Sequence, residues 1–394
     1  MTGAGPGAAP GTDAVGAGGL REYEVVCVRC GRGQAGFAYE CAACAGAVVV
    51  EPARLAAAGP SPATGLWRWA ALLPRTQAAV SLGEGQTPLV ELNLPGVPPG
   101  ARVVAKLETL NPTLSFKDRA MALGASAALD QGVRGLAVAS TGNAAVAAAA
   151  YAAAAGLRCR VLVGTESRAA RKLDSCRVYG PEVSEVPGDY SAAYAEARQL
   201  EGADWMNVST TYRNPLLAEA YRPLALELVE QLGAAPSVVV VPVGAGPLLR
   251  GVERGFRDAA DVGAARGTPV MVGVQAAAVA PLAAAWRDGD WTRSLRTARS
   301  WAPTAATAIA DAMRGYEEQG LLTLEAARRA GGEIAAVGED AILDAQAYLA
   351  SVGLWVEPAA ATTLAYLRER PAGWWDGRDG AVVLVLTGHG IKAR

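Results

Sequence analysis

The sequence is poor in the residues on which most hydrolytic enzymes and metal sites depend. Its 394 residues include a single histidine, His389, which excludes a site built from several histidines. A serine or cysteine hydrolase would depend on that residue alone, and no Gly-x-Ser-x-Gly nucleophile elbow accompanies it. Ordinary hydrolysis is therefore not expected.

Long apolar runs and an excess of charge are also missing. No apolar run approaches the ~20 residues that a membrane span requires, so no membrane partner is expected. The net charge is -2 and no basic block stands out, which argues against nucleic acid as the main partner. Residues 1–20 lack the basic start and apolar centre of a signal peptide. They are predicted to form a disordered tail on a cytoplasmic protein.

Lysine is scarce in a chain that is rich in arginine. There are four lysines (Lys106, Lys117, Lys172 and Lys392) against 32 arginines. Such a composition favours lysine only where a guanidinium cannot serve. Arginine does not lose its proton in a protein and cannot form a Schiff base, whereas lysine can. The alternative is that the lysines are placed by chance. The surroundings of each lysine must decide between these two explanations.

Four of the six cysteines form two pairs of the type C-x-x-C. Cys27 and Cys30 make the first pair, and Cys41 and Cys44 follow after ten intervening residues. This spacing predicts a zinc ribbon within residues 21–50, with one tetrahedral zinc. Because four sulfurs leave no open ligand position, the zinc would be structural. A degenerate ribbon without metal, or a disulfide artefact, is the alternative.

From about residue 100 onward, short β-branched runs alternate with helical segments. This pattern is typical of buried parallel strands connected by helices, and the length accommodates two such sheets. The predicted strands are Arg102–Glu108, Gly135–Ser140, Arg158–Gly164, Glu182–Val186, Ser237–Val243, Met271–Gln275 and Ala381–Leu386. The predicted helices include Ala144–Ala155, Leu217–Leu232 and Asp340–Ala350.

The first candidate site lies in the segment N-P-T-L-S-F-K-D-R, residues 111–119. Ser115 is predicted to cap the helix that follows, with Asp118 completing a capping box. Lys117 then lies in the first helical turn, where the helix field should lower its pKa. A lower pKa favours the neutral amine that attacks an aldehyde. A solvated lysine paired with Asp118 is the alternative interpretation.

Three further turns follow predicted strands. The sequence A-S-T-G-N at 139–143 opens an alanine-rich helix, and its amides and hydroxyls suit a carboxylate unless it is only a capping turn. The sequence G-A-G-P-L-L-R-G at 244–251 suits a phosphate, although it is not a P-loop. Thr387 follows the last strand, where its hydroxyl could face a heteroaromatic nitrogen. An amine, two anion cradles and this hydroxyl are what pyridoxal phosphate (PLP) bound to an amino acid requires.

These motifs resemble the fold-type II PLP enzymes, and most of all the threonine synthases. The resemblance is carried by L-G-E-G-Q-T-P (82–88), K-L-E (106–108), S-F-K-D-R (115–119), S-T-G-N (140–143), P-V-G-A-G (242–246), G-V-Q (273–275), V-E-P (356–358) and T-G-H-G-I-K (387–392). It implies an α/β fold of two parallel-sheet domains, preceded by a small zinc-ribbon-like module. The predicted bounds are 51–117 with 213–394 for the large PLP-binding domain, and 118–212 for the small domain.

The resemblance also implies roles for individual residues. Lys117 would carry the cofactor as a Schiff base and act as a general base. Asn143 would bond the ring oxygen of the cofactor and Thr387 its pyridine nitrogen, where a neutral hydroxyl favours elimination and replacement over transamination. The cofactor phosphate would be bound by Gly244, Ala245, Gly246, Pro247 and Leu248. The substrate carboxylate would be bound by Ser140, Thr141 and Gly142.

A phosphorylated substrate would require a second anion site, because a buried dianion needs cations or several N–H donors. Lys106 is the leading candidate because arginine would have replaced a merely solvated lysine, although it could instead pair with Glu108 or another carboxylate. Ser209, Thr210 and Arg213 are the other predicted donors.

The sequence also departs from the family it resembles. Leu114, Ala120 and Ala220 stand where glycine is common, and Leu216 and Leu217 stand where a basic residue for the substrate phosphate is often found. These departures concern the substrate rather than the cofactor.

The reaction implied by the resemblance is that of threonine synthase. Phosphate is eliminated from the γ carbon of O-phosphohomoserine, and water is then added to the β carbon. One alternative is β-replacement or β-elimination on a serine-type substrate, as in cysteate synthase-like or dehydratase-like enzymes. Another is a catalytically silent paralogue that acts as a binding protein and takes up no PLP. Related enzymes suggest a homodimer.

Overall fold

The structure is a computed structural model that describes residues 23–52, 60–166, 170–202, 204–210, 212–297 and 301–393. The predicted tail, residues 1–20, lies outside the described residues. Within the described part of the chain, no helix has the length and apolar character required to cross a membrane.

The strands and helices alternate through most of the chain. The strands are β1 (Tyr23–Cys27), β2 (Gly33–Ala35), β3 (Val48–Pro52), β4 (Leu89–Glu91), β5 (Val103–Lys106), β6 (Gly135–Ala139), β7 (Arg158–Gly164), β8 (Glu182–Val186), β9 (Trp205–Asn207), β10 (Val238–Pro242), β11 (Val270–Ala276), β12 (Glu333–Val337) and β13 (Val382–Val385). The α-helices are α1 (Lys117–Asp130), α2 (Asn143–Ala154), α3 (Ala170–Arg177), α4 (Tyr190–Gln199), α5 (Pro215–Glu219), α6 (Pro223–Leu232), α7 (Pro247–Asp261), α8 (Pro281–Asp288), α9 (Trp291–Arg296), α10 (Glu317–Arg329), α11 (Glu339–Ser351) and α12 (Pro358–Arg368).

The N-terminal module is a three-stranded antiparallel sheet in the order β2-β1-β3. In its register, Val25 of the central strand lies opposite Gln34 in β2 and Val50 in β3. The side chains of Val25 and Val50 are buried, which fixes the inner face of this small sheet. The arrangement agrees with the predicted ribbon-like module.

The larger sheet has the order β12-β11-β10-β13-β5-β4, and its strands are parallel except for the antiparallel edge strand β4. Its central strand β10 is buried on both faces: Val239 and Val241 pack into one apolar core, and Val238 and Val240 pack into another. Helices on both faces therefore cover the sheet, as the continuous β-branched runs predict.

The smaller sheet is parallel throughout and has the order β8-β7-β6-β9. Ala137 and Ala139 of β6 contact one core, while Leu136 and Val138 contact the other. The two predicted parallel sheets are thus confirmed. The exact domain bounds, 51–117 with 213–394 and 118–212, stay a prediction.

One predicted helix is wrong in its bounds. The segment predicted as Leu217–Leu232 forms two helices, α5 and α6, with a break before Pro223. Proline has no amide hydrogen, and its ring collides with the carbonyl four residues earlier, so it begins a helix more readily than it continues one.

Candidate active site

Lys117 is the first residue of α1, and the cap that precedes it differs from the predicted one. Phe116 occupies the cap position and provides no side-chain hydrogen bond. The Asp118 carboxylate instead accepts bonds from the Thr113 amide (2.9 Å) and hydroxyl (2.5 Å). The Ser115 hydroxyl has no hydrogen-bond partner among the described residues, so the predicted capping box is wrong. Because Asp118 is bound to Thr113, it does not serve Lys117 as a counter-ion.

Lys117 as a whole residue is half-buried, and its amine lies 4.6 Å from the centroid of the Phe116 ring. The loss of hydration lowers its pKa from 10.5 to about 8, although the carboxylates of Asp311 and Glu357 partly oppose this shift. The direction of the shift agrees with the prediction, but its main cause is desolvation rather than the helix field. A larger fraction of the amine is consequently neutral near pH 7 than in a solvated lysine.

The loop before Lys117 is tied to the segment that follows the last strand. The Phe116 amide donates to the Thr387 carbonyl at 3.0 Å, and the His389 amide donates to the Leu114 carbonyl at 3.1 Å. Leu114 has a φ of +64°, which is a left-handed conformation that favours glycine. Lys117 and Thr387 are far apart in sequence, and these bonds bring them to the same edge of the large sheet.

The glycine-rich turn connects β10 to α7, and its backbone is closely packed. Gly246 has a φ of +93°, and a Cβ added there would lie 2.3 Å from Thr323. The Thr323 hydroxyl donates to the Ala245 carbonyl at 2.5 Å. The turn opens a 15-residue helix whose first residues are Pro247 and Leu248, so its free amides and dipole suit a phosphate.

Asn143 begins α2 and retains an unused polar atom. Its amide nitrogen donates to the two Glu357 oxygens at 3.0 and 3.2 Å, and its buried oxygen has no partner among the described residues. Such an atom fits a polar ligand, because a buried acceptor is normally hydrogen-bonded. The turn of Ser140, Thr141 and Gly142 precedes it, with all three residues half-buried. The Gly142 amide donates to the Ser140 hydroxyl at 3.0 Å.

Lys106 lies outside this group of residues, and its predicted role is contradicted. The side chain has no exposed surface. Its three hydrogens are directed at the Thr87 carbonyl (2.7 Å), Glu227 (2.8 Å) and Gln231 (3.0 Å). Arg119 forms a two-bond ion pair with the same Glu227. An ammonium group has three donors, so Lys106 has none left for a substrate phosphate.

Arg213 is likewise occupied, and it faces the ribbon. Its guanidinium bonds Glu201 through two nitrogens (2.9 and 2.6 Å) and Glu40 through the third (2.7 Å). The guanidinium is thus committed to protein carboxylates in this arrangement, and its contact with a substrate phosphate stays a prediction. Thr210 accepts a bond from the Arg213 amide at 2.9 Å and so supports this loop.

Ser209, a member of the predicted second anion site, lies beside the carboxylate cradle. Its hydroxyl accepts a bond from the Ala139 amide at 2.8 Å, immediately before Ser140. It remains half-buried, and its own hydrogen can still be donated.

Two carboxylates near Lys117 have no predicted role in the sequence. Glu357 belongs to the motif V-E-P at 356–358, which is recognisable in the sequence. Its hydrogen-bond partner, Asn143, could not be predicted from that motif. Asp311 lies in an irregular stretch without periodicity or a turn motif. Of the two carboxylates that raise the pKa of Lys117, Asp311 has the larger effect.

The four ribbon cysteines are arranged as a single metal site would require. Their sulfurs all lie within 4.8 Å of one another, and the pairs Cys27–Cys44 and Cys30–Cys41 are 3.5 and 3.7 Å apart. Tetrahedral zinc with bonds of about 2.3 Å places its sulfurs roughly 3.8 Å apart. The donor set and its spacing therefore fit one zinc ion.

Comparisons with known proteins agree with this geometry. The family model described as pyridoxal-phosphate dependent enzyme matches residues 80–388. The threonine synthase of Mycobacterium tuberculosis is 34% identical over 315 residues, 79% of this chain and 83% of that protein. The threonine synthase of Methanosarcina acetivorans is 32% identical over 384 residues, 94% of this chain and 92% of that protein.

Solved structures share the fold. A threonine deaminase from T.th. has a TM-score of 0.61 at 26% identity, covering 77% of this chain and 92% of that one. An O-ureido-L-serine synthase has a TM-score of 0.62 at 21% identity over 78% and 90% of the two chains, which shows the fold alone. This chain belongs to the family of pyridoxal-phosphate-dependent enzymes, as a threonine synthase-like lyase of fold type II.

Proposed function

We propose that the protein catalyses elimination followed by addition on the side chain of an amino acid, with the threonine synthase reaction as the first candidate. In that reaction O-phosphohomoserine and water yield threonine and phosphate. The observation that carries the proposal is the desolvated amine of Lys117, held by backbone bonds beside Thr387. The threonine synthase relatives, 32–34% identical over most of the chain, support the choice of reaction.

Each part of the site would have its own task. Lys117 would hold the cofactor and move the proton at the α carbon of the substrate. The turn 244–248 would bind the cofactor phosphate, and Ser140, Thr141 and Gly142 would bind the substrate carboxylate. When bound, PLP supplies a ring that withdraws electrons from the substrate carbons.

Thr387 would direct the type of reaction. Its side chain is only 3% exposed and follows β13 at the carboxyl edge of the larger sheet. A neutral hydroxyl facing the pyridine nitrogen leaves that nitrogen unprotonated, since no carboxylate stabilises the added charge. The weaker electron sink favours loss or exchange of a side-chain group over transamination.

A second candidate is β-replacement or β-elimination on a serine-type substrate without a phosphate. It is favoured by the engagement of Lys106 and Arg213 in protein ion pairs, since both were predicted to bind the substrate phosphate. A phosphorylated substrate would then depend on hydroxyls and backbone amides alone for its second anion.

A substrate panel separates these candidates. O-phosphohomoserine, O-phosphoserine, O-acetylserine, serine and threonine are each incubated with the holoenzyme and scored for phosphate, keto acid and new amino acid. Threonine and phosphate in equal amounts support the first candidate, while keto acid or a substituted alanine from serine derivatives supports the second. A colourless protein that takes up no PLP would instead indicate a silent binding protein.

We also propose one structural zinc held by Cys27, Cys30, Cys41 and Cys44, and a homodimer in the cytoplasm. The proposal of a dimer is based only on analogy with related enzymes. Light scattering of the purified protein checks it, and a monomer over the working concentration range would contradict it.

A further inference from the structure

Asp311 packs against the first residue of the phosphate-binding turn. A methyl group built on Gly244 would lie 3.4 Å from the Asp311 Cβ, so the Asp311 side chain begins beside this glycine. Asp311 follows the short turn Thr307–Ile309, whose buried Ile309 anchors the segment in the core. The acidic side chain is thus held at the same turn as the proposed phosphate site.

The Asp311 carboxylate is oriented by two donors. The Met313 amide donates to it at 2.8 Å, and the Tyr316 hydroxyl also donates to it. Met313 has a φ of +56° although it is buried and carries a bulky side chain. A left-handed residue of this kind is strained, and such outliers concentrate at functional sites. The strained residue is the one whose amide holds the carboxylate.

Asp311 and Lys117 act on each other electrostatically. The carboxylate opposes the fall in the pKa of Lys117, and the ammonium form opposes the rise in the pKa of Asp311 that desolvation causes. Tyr316 faces the same carboxylate, and Tyr190 of α4 interacts with it from beside the smaller sheet. Glu357, the other carboxylate near Lys117, accepts two bonds from Asn143 instead.

We propose that Asp311 is a second acid–base group, which exchanges a proton with the group that leaves or enters the substrate side chain. This inference rests on the proposed elimination and addition. Lys117 serves the proton at the α carbon, so the side-chain group requires a separate donor and acceptor. Asp311 is the carboxylate that the structure orients beside Lys117 while leaving it free of an arginine or lysine ion pair among the described residues.

The two half-reactions balance around this carboxyl group. In the elimination on O-phosphohomoserine, Lys117 moves protons off the α and β carbons, the electron pair left at the β carbon forms a double bond to the γ carbon, and the γ C–O bond breaks with its pair on the departing oxygen. Protonated Asp311 gives that oxygen its proton, and one proton held by Lys117 is returned to the γ carbon. In the addition, the O–H bond of water breaks, the oxygen bonds to the β carbon, and the Asp311 carboxylate takes the proton. The electron pair of the unsaturated side chain moves to the α carbon, where the proton held by Lys117 is returned.

The first test measures the apoprotein and so does not depend on turnover. The pH dependence of amine labelling at Lys117 is followed by mass spectrometry in wild type, Asp311→Asn and Asp344→Asn. Removing the nearby negative charge is expected to lower the pKa of Lys117 in Asp311→Asn. Asp344, on the exposed face of α11, is the matched control and is expected to leave it unchanged. An equal pKa in all three proteins would overturn the placement of Asp311 beside Lys117.

The second test separates proton transfer at the α carbon from chemistry on the side chain. Exchange of the substrate α proton in D2O is measured by NMR alongside product formation, with the holoenzyme. In Asp311→Asn, product formation is expected to fall about 100-fold while α-proton exchange changes less than about 3-fold, because general acid–base groups contribute ~10²–10⁴. An equal fall in both rates, or unchanged product formation, would overturn the proposal.

Tyr316→Phe provides the variant that keeps the carboxylate. Loss of the hydroxyl donor is expected to raise the pKa of Asp311. Because the elimination uses the protonated carboxyl group, the alkaline limb of the kcat/KM profile is expected to move to higher pH. An alkaline limb that does not move would contradict the assignment. If wild type forms no product on any substrate of the panel, the proposed function fails, while the labelling test still decides the position of Asp311.

Discussion

Arg29 of the ribbon and Glu318 of α10 form an ion pair with an N–O distance of 2.5 Å, although 289 positions separate them. Arg29 also donates to the Cys44 carbonyl at 2.9 Å, so the same side chain contacts the cysteine cluster. The same helix carries Thr323, whose hydroxyl donates to the Ala245 carbonyl of the glycine-rich turn. The ribbon therefore contacts the helix that supports this turn.

Metal content tests the role of the ribbon. Freshly purified reduced protein is expected to contain one zinc per chain by elemental analysis, and Cys41→Ser is expected to lower both zinc content and thermal stability. Cys176→Ala is the matched control, since this buried cysteine lies outside the cluster. Chelation should lower the Tm of the protein and leave cofactor binding at Lys117 largely unchanged. Wild-type protein without zinc, or Tm values that do not depend on metal, would refute the structural role.

Lys106 is expected to be a residue of stability rather than of substrate binding. Lys106→Met leaves Glu227 with one cation fewer in a fully buried network, and breaking such a pair costs about 3–5 kcal/mol. Urea denaturation measures the loss. Arg29→Ala is a useful contrast, because its ion pair is half exposed and such surface pairs contribute little to stability. A raised KM without any loss of stability in Lys106→Met would restore the role predicted from the sequence.

Thr387 is expected to set the balance between elimination and transamination. Thr387→Asp places a carboxylate where the hydroxyl stood, which favours protonation of the ring nitrogen and a stronger electron sink. The ratio of transamination products to elimination products should rise. Thr387→Ser keeps the hydroxyl and is expected to leave the ratio unchanged. If Thr387→Asp still binds PLP and gives the wild-type ratio, another group faces the nitrogen.

The lowered pKa of Lys117 predicts the pH dependence of cofactor attachment. The neutral amine reacts with the aldehyde, so the rate of PLP attachment to apoprotein should rise with pH through a midpoint near 8. The pH dependence of stability is opposite in sign to that of an ion-paired lysine, because the folded pKa is lowered rather than raised. The unfolded lysine keeps its proton up to about 10.5, so the folded apoprotein gains stability between pH 8 and 10.5. Stopped-flow absorbance gives the rate, and a midpoint near 10 would contradict the desolvated amine.

The central strands, the turns after them and the edge strand β8 could be predicted, whereas the edge strands β4, β9 and β12 could not. β10 and β13 are continuous β-branched runs buried on both faces, which leaves few alternatives to a parallel sheet. β4, β9 and β12 lie at sheet edges, are short or half-buried, and give a weak pattern. Glycine-rich turns were recognisable because their backbone conformation restricts the residue type.

The surroundings of single side chains could not be predicted, because they depend on residues far apart in sequence. Lys106 pairs with a carboxylate 121 positions away, and its scarcity alone does not separate a chemical role from a buried ion pair. Asp311 gains its importance from packing against Gly244, which no local pattern encodes. Leu114 stands where the family commonly has glycine, and its φ of +64° is the left-handed conformation that favours glycine.

The attachment of PLP to Lys117 is tested most directly by reducing the holoenzyme with borohydride and sequencing the labelled peptide by mass spectrometry. We expect a yellow protein, one reduced cofactor per chain, and its mass on the peptide that contains Lys117. Lys392 is the internal control, because this buried lysine donates to the Thr113 carbonyl and should remain unlabelled. A label on another lysine, or a fixed cofactor and normal turnover in Lys117→Ala, would contradict the assignment of Lys117.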